Sequence, residues 1–194
     1  MRSSYIKNSY DEVFYAIATT YRPVIAVELG ILDGYSAISI AKGLKRNKET
    51  IGLDCHLDAY DLFEDYQYNK ANQVDVQKTV DDSGLKEFIS LKKEDAFEVH
   101  KYYQDNTVYF LHVDLSNDGE IVRKIIELWD KKLVIGGIIL FEGGSEERDN
   151  VKWMIEYNKK PIKYELENNS IIKEKYIFGT YLKFPSLTVL LKKR

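Results

Sequence analysis

Apolar positions along this 194-residue chain fall into short runs and helical stripes that alternate over most of its length. Tyr10, Phe14 and Ala18, flanked by Val13, Ile17 and Tyr21, recur at helical spacing, and Pro23 ends the helix they predict. Val24 to Val27 is an apolar, β-branched run suited to a strand covered on both faces, with Glu28 at its end. A helix carrying Ile38, Ala41 and Leu44 follows. Further strands are predicted at Leu57 to Asp61, Phe88 to Leu91, Val108 to Val113 and, after a Gly136-Gly137 turn, Ile138 to Phe141. Between them lie a helix over Val74 to Val80, stopped at Gly84, and one whose broad apolar face runs from Ile121 to Trp129. Strands alternating with helices imply an α/β protein with a parallel sheet covered on both sides.

Past Phe141 the pattern changes. Val151, Met154 and Ile155 predict a helix, Ile162, Tyr164 and Leu166 alternate as a half-buried strand, and Leu187 to Leu191 forms a last strand after Pro185. With no helix between them, these two late strands are predicted to pair antiparallel. The tyrosine-rich stretches 64–72 and 168–184 read as loops, lid-like or facing a substrate.

Composition narrows the field. A net charge of −3, a pI near 5.7 and scattered lysines give no basic face, so nucleic acid is not an expected partner. Cys55 is the one cysteine, which excludes an intramolecular disulfide and fits a reducing compartment. No apolar run approaches the ~20 residues of a membrane span, and MRSSYIKNSYDEVF lacks the apolar core of a signal peptide. The expectation is a cytoplasmic protein with no membrane contact. Residues 1–194 read as a single domain, opened by an N-terminal helical segment over 1–22, and a homodimer is compatible with this composition.

The chemistry gathers at strand ends. In VIAVELGILDGYSAISIAKGL, Gly30 and Gly34 permit positive φ and a close approach of backbone to ligand, and Ser36 is a candidate helix cap. The spacing E-x-G-x-x-x-G-x-S is neither the G-x-G-x-x-G of a pyrophosphate site nor a P-loop. An acid beside the first glycine repels a phosphate but accepts hydrogen bonds from a zwitterionic or hydroxylated ligand. Glu28, Asp61, Asp95, Asp114 and Glu142 end the five predicted parallel strands, on the side where open α/β sheets bind ligands.

These segments resemble class I S-adenosylmethionine (SAM)-dependent methyltransferases, whose cofactor carries an amino-acid tail and no phosphate. E-x-G-x-x-x-G-x-S is similar to their first motif. Asp61-Leu62-Phe63-Glu64 resembles the Asp-x-Phe-Glu element of macrocin-type and related sugar O-methyltransferases, EDAFEV their adenine-contacting segment, and HVDLSNDGEIVRKIIELWDKKLVIGGIILFEGG their H-x-D segment with the helix and strand that follow. The resemblance implies a Rossmann-like seven-stranded sheet, parallel with an antiparallel C-terminal strand and helices on both faces. It implies SAM as cofactor, held by Glu28, Gly30, Gly34, Tyr35, Ser36, Asp61, Phe63, Asp95, Ala96 and Asp114. In that assignment Asp61 takes the ribose hydroxyls and Phe63 covers the base. Asp54, at the ~20-residue offset from Gly34 seen in dinucleotide folds, is the rival for the ribose.

The implied reaction is O-methylation of a small polar acceptor such as a sugar or glycoconjugate unit. Asp114 is the first candidate to orient or deprotonate the acceptor, and Glu142 the second. The sequence departs from the family where Mg²⁺ is held: two adjacent donors are reduced to Glu142-Gly143, leaving Asp114, Asp118 and Glu142 as weak metal candidates. It also lacks a histidine that often acts as base, since the run here is His112-Val113-Asp114-Leu115-Ser116-Asn117-Asp118. His112 itself reads as structural. Arg148 reads two ways, as a clamp on a substrate carboxylate or phosphate or as a partner of Glu146 or Glu147 beside a helix capped by Asp149 or Asn150. Two other functions stay open: a non-catalytic SAM-binding or interaction protein, and a dinucleotide-dependent oxidoreductase.

Overall fold

The structure is a computed structural model that describes residues 2–67, 71–116 and 118–194. Its strands are β1 (Ile25–Leu29), β2 (His56–Asp61), β3 (Ile89–Lys93), β4 (Val108–Val113), β5 (Leu133–Glu142), β6 (Tyr176–Tyr181) and β7 (Leu187–Lys192). They form one seven-stranded sheet in the order β3-β2-β1-β4-β5-β7-β6. β1 to β5 are mutually parallel, and β7 runs antiparallel to both β5 and β6. This is the Rossmann-like seven-stranded sheet that the sequence resemblance implies, with strand order reversing between β1 and β4.

The helices are α1 (Tyr10–Tyr21), α2 (Tyr35–Ile51), α3 (Gln73–Asp82), α4 (Gly119–Trp129), α5 (Glu146–Asp149), α6 (Lys152–Glu156), α7 (Ile162–Asn168) and α8 (Ser170–Lys175), with a 3-10 turn at Ser4–Asn8 before them. The sheet separates two cores. On one face Phe14 and Ala18 of α1 and Ile40 and Leu44 of α2 pack on Ala26, Leu57 and Phe110. On the other Ile125, Ile126 and Trp129 of α4 pack on Val27, Leu111 and Ile139. Alternate residues of each buried strand therefore serve opposite cores.

Three expectations about elements are corrected. Ile162, Tyr164 and Leu166 lie on α7, not on a strand, because Ile162, Glu165 and Leu166 recur at helical spacing and bury one side while Tyr164 stays exposed. The antiparallel partner of β7 is β6, within the stretch read as a loop, which also contains α8. The Gly136-Gly137 pair does not precede the fifth strand but lies inside it. Gly136, at φ +81°, sits where the pairing with β4 shifts register, so the glycines make an irregularity in a ten-residue strand. Of the other predicted loop, 64–72, the part at 68–70 lies outside the described residues, and Phe63–Asp65 opens it as a 3-10 turn. The segment over 1–22 is a 3-10 turn followed by α1, broken at Ser9, which has φ +52°.

Candidate functional site

A cavity of about 500 Å³ opens beyond the carboxyl ends of β1, β2, β3, β4 and β5. That is within the size range of small-ligand sites. Gly30, Asp61, Asp95, Ala96, Asp114 and Glu142, all singled out from the sequence, line it.

Backbone geometry shapes the first wall. Gly30 has φ +92°, its N–H donates to the Tyr60 carbonyl at 2.9 Å, and a Cβ there would come within 2.2 Å of the Asp114 carbonyl oxygen. Only glycine lets the β1 turn cross the end of β4 this closely. Asp61 accepts from the backbone N–H groups of Ile31 and Phe63, which fixes its carboxylate at the cavity edge between β1 and β2. Asp95 accepts from the Phe97 N–H at 2.9 Å and so holds the turn after β3. Asp54, by contrast, is 98% exposed in its side chain and pairs with Lys48 on the surface.

Not every predicted contact faces the cavity. Glu28 is fully buried behind its wall, where Oε1 accepts from the Ser36 hydroxyl and lies 2.8 Å from His112 Nδ1. Its Oε2 has no hydrogen-bond partner among the described residues. Ser36 is thus spent on Glu28, inside α2, and the cap position belongs to Gly34 at φ +83°. Tyr35 donates to Asp11 of α1 at 2.6 Å, and Phe63 is buried in the core at φ +48°. None of Glu28, Gly34, Tyr35, Ser36 and Phe63 is among the cavity-lining residues.

The second wall is made by residues distant in sequence. Ser3 and Ser4 of the 3-10 turn line the cavity beside Asp114 and Glu142. The Ser4 hydroxyl donates to Glu142 Oε2 at 3.0 Å, and Arg148 Nε donates to Glu142 Oε1 at 3.1 Å. Both Glu142 oxygens are therefore engaged, one with the turn and one with a buried guanidinium. Arg148 pairs with neither Glu146 nor Glu147. It stacks 5.2 Å from the Trp153 ring centroid, with Nη1 buried and without a hydrogen-bond partner among the described residues. The cap of α5 is Ser145, while Asp149 accepts from the N–H groups of Ile162 and Lys163 and so caps α7.

Asp114 is the electrostatic centre of this wall. Burial pushes its carboxyl up to about 7, the Glu142 and Glu28 charges add to the rise, and the neighbouring His112 opposes it. Tyr5, in the 3-10 turn, is 1% exposed, and its hydroxyl lies 3.2 Å from His112 Nε2. Burial first, then the surrounding carboxylates, push the pKa of that phenol well above its usual value. Sequence reading missed Tyr5, Ser3 and Ser4. Tyrosine periodicity offered no signal, because Tyr5 belongs to a short 3-10 turn outside the helical stripe.

The metal candidates do not assemble. Asp118 caps α4 through the N–H groups of Glu120 and Ile121 and pairs with Lys159 at 3.1 Å, so its carboxylate is committed elsewhere. Among the described residues no group of three His, Cys, Asp or Glu side chains is arranged to hold a metal ion. Asn117 lies outside the described residues. The donor set does suit a zwitterionic, hydroxyl-rich cofactor. Carboxylates at Asp61 and Asp95 are suited to accept from hydroxyl and amino groups, and among the described cavity-lining residues there is no lysine or arginine to meet a phosphate.

A family model described as a methyltransferase domain matches residues 27–142, from β1 through β5. No curated protein sequence matches the chain. Among solved structures it is similar to a methyltransferase from Geobacter sulfurreducens, with TM-score 0.67 and 13% identity over 96% of this chain and 79% of that one. It is also similar to PaMTH1, a methyltransferase of Podospora anserina bound to S-adenosylhomocysteine (SAH), with TM-score 0.66 and 14% identity over 100% and 80%. A third is TomG, an O-methyltransferase of tomaymycin synthesis from Streptomyces achromogenes in complex with SAM, with TM-score 0.69 and 11% identity over 96% and 80%.

Proposed function

The chain belongs to the methyltransferase-domain family as a class I SAM-dependent enzyme, and on that premise we infer that it methylates a hydroxyl oxygen of a small polar acceptor, a sugar or glycoconjugate unit. The observation that carries this reading is the juxtaposition of Gly30, Asp61, Asp95, Asp114 and Glu142 around one cavity. SAM, when bound, supplies a methyl group already activated on a sulfonium sulfur. What remains for the protein is to hold, align, exclude water and manage one proton.

Gly30 lets the β1 turn come close to the cofactor, and Asp61, held by two backbone donors, accepts the ribose hydroxyls. Asp95 and Ala96 lie where the adenine edge would end. Asp114 faces the acceptor. A neutral alcohol is a weak nucleophile, so a carboxylate that takes its proton as the oxygen gains the methyl removes a charge that would otherwise build up. A carboxyl poised at about 7 is suited to that exchange near neutral pH. The Ser4 and Glu142 side chains narrow the space left for the acceptor. The cavity's mixture of hydroxyls and carboxylates favours a hydroxylated acceptor over a phosphorylated one.

Titration calorimetry with SAH and with NAD tests the cofactor assignment. SAH binding and no NAD binding is the expected result, and the reverse removes the methyltransferase reading. Release of SAH from SAM in the presence of methyl hexosides, against catechol and simple carboxylic acids, tests the acceptor class. Turnover confined to catechol or the acids would move the acceptor away from sugars.

A further inference from the structure

We propose that the acceptor carries an ammonium group beside the hydroxyl that is methylated, as an amino sugar does, and that Glu142 and Ser4 are the residues that select it. The proposal rests on the assignment of this wall to the acceptor, and it narrows the class of acceptor that the wall takes.

Hydrogen-bond counting leads to it. A guanidinium is always charged and only donates, so the oxygen that Arg148 Nε holds at 3.1 Å, Glu142 Oε1, belongs to a carboxylate. The two side chains are 8% and 13% exposed, so solvent does little to loosen the pair. A carboxylate only accepts. The one hydrogen of the Ser4 hydroxyl is therefore committed to Glu142 Oε2, at 3.0 Å, and Ser4 Oγ is left with lone pairs alone. Each Glu142 oxygen also keeps a lone pair beyond the one already engaged. Toward the cavity that both residues line, Ser4 and Glu142 thus offer acceptors and no donor.

The arrangement is held from both sides. Arg2 Nη2 pairs with Asp33 at 2.7 Å ahead of the serine, Tyr5 is buried just behind it, and Arg148 stacks on Trp153. Neither Ser4 nor Glu142 can turn a donor inward without breaking a bond already made.

Charge and donor count agree on what fits. Asp61, Glu94, Asp95, Asp114 and Glu142 put five carboxylates on the cavity, with no lysine or arginine among its described lining residues. SAM brings a sulfonium, an ammonium and a carboxylate, one net positive charge in all. A substrate hydroxyl donates once to an acceptor-only wall, and its own lone pairs then face other oxygens. An ammonium group donates three times, has no lone pair to repel, and adds a positive charge. Bonds of this charge-assisted kind are the stronger ones.

The same contact directs the methyl group. An ammonium held by Glu142 has no lone pair with which to attack the sulfonium, whereas the neighbouring hydroxyl does. Its oxygen forms the bond to the methyl carbon as the sulfur–carbon bond breaks, its proton goes to Asp114, and SAH leaves. The amine emerges unmethylated.

The test compares methyl glucoside with its 2-, 3- and 6-amino-deoxy counterparts and their N-acetyl forms, as acceptors for the full chain with SAM. At least one amino sugar should exceed its hydroxyl parent and its N-acetyl form roughly ten- to a hundredfold in kcat/KM, the range that one charge-assisted contact provides. The difference should lie mainly in KM and shrink with added salt. Mass spectrometry should find the methyl on oxygen. Glu142→Gln should bring the preference within about twofold, and Ser4→Ala should lower it by less. SAH affinity and melting temperatures establish that both variants are folded. Equal turnover of amine and N-acetyl forms, a preference that survives in Glu142→Gln, or an N-methylated product would overturn the proposal. So would a loss of SAH affinity in Glu142→Gln as large as that in Asp61→Ala, since Glu142 would then belong to the cofactor. Transfer to the hydroxyl parents alone would uphold the sugar O-methyltransferase reading and remove the ammonium. If no compound is methylated, calorimetry on the SAH-loaded chain decides. Amino-sugar binding that Glu142→Gln abolishes would keep the ammonium site and remove the transfer reading, and no binding would overturn the site.

Discussion

The two walls of the cavity are built on different plans. The cofactor wall is local: Gly30, Asp61 and Asp95 each end a strand and are fixed by backbone groups within the β1, β2 and β3 turns. The acceptor wall is assembled at a distance, with a 3-10 turn near residue 5 pressed onto the ends of β4 and β5 by Ser4 and Tyr5. The first wall is fixed by its own strand turns alone. The second draws in side chains from a segment outside residues 27–142, the span of the family match, and is the wall we assign to the acceptor.

Substitutions on each wall should separate the two functions. The largest effect is expected for Asp114→Asn, which should lower methyl transfer by about 10²–10⁴-fold, the usual cost of losing a general base, while SAH affinity changes much less. Undiminished turnover on a real acceptor would shift attention to Glu142. Next comes Asp61→Ala, which should weaken SAH binding on the order of a hundredfold, since hydrogen bonds to a charged group contribute roughly 1.5–3 kcal/mol each. Asp54→Ala, on the surface, should leave it within about twofold. Equal losses in both would mean that the cofactor wall is wrongly assigned.

A smaller effect concerns pH and stability. Asp114 keeps its proton up to about pH 7 in the folded chain, against about 3.9 in an unfolded one. Between those values the folded state binds more protons, so this group's contribution to stability declines as pH rises through 4 toward 7 and is lost above 7. Urea midpoints measured from pH 4.5 to 8 should therefore fall more steeply for the wild type than for Asp114→Asn. The difference should amount to no more than a few kcal/mol. Parallel curves would show that the carboxyl is not perturbed.

The cofactor wall was legible in the sequence because its information is contiguous. A β-branched run, a glycine needing positive φ and an acid within a few residues specify a strand, a turn and a place on the cavity wall together. Glu28 and Ser36 were legible as a motif, but their bond to each other behind the cavity wall was not, since spacing alone does not tell which polar group faces outward and which pairs inward. The α7 segment failed for a different reason. Ile162, Tyr164 and Leu166 alternate over too few residues to separate a period of two from a helical one. Tyr5 was illegible because it meets His112 across 107 positions, with no local pattern to connect them.

The 3-10 turn at Ser4–Asn8 also sets the order in which the molecule can close. Its contacts reach 107 positions to His112, 138 to Glu142 and 177 to Pro185, where the Asn8 amide and the Tyr10 hydroxyl both bond the chain. The links that define the cofactor wall are much shorter, such as the 30 positions between Ile31 and Asp61. Contacts of high sequence separation form late, because the entropy of closing their loops must be overcome first. A chain that has completed β1 to β4 can thus have the turns at Gly30, Asp61 and Asp95 set before the residues around 185 are in place. Competence to transfer waits for the last strands to bring the turn home.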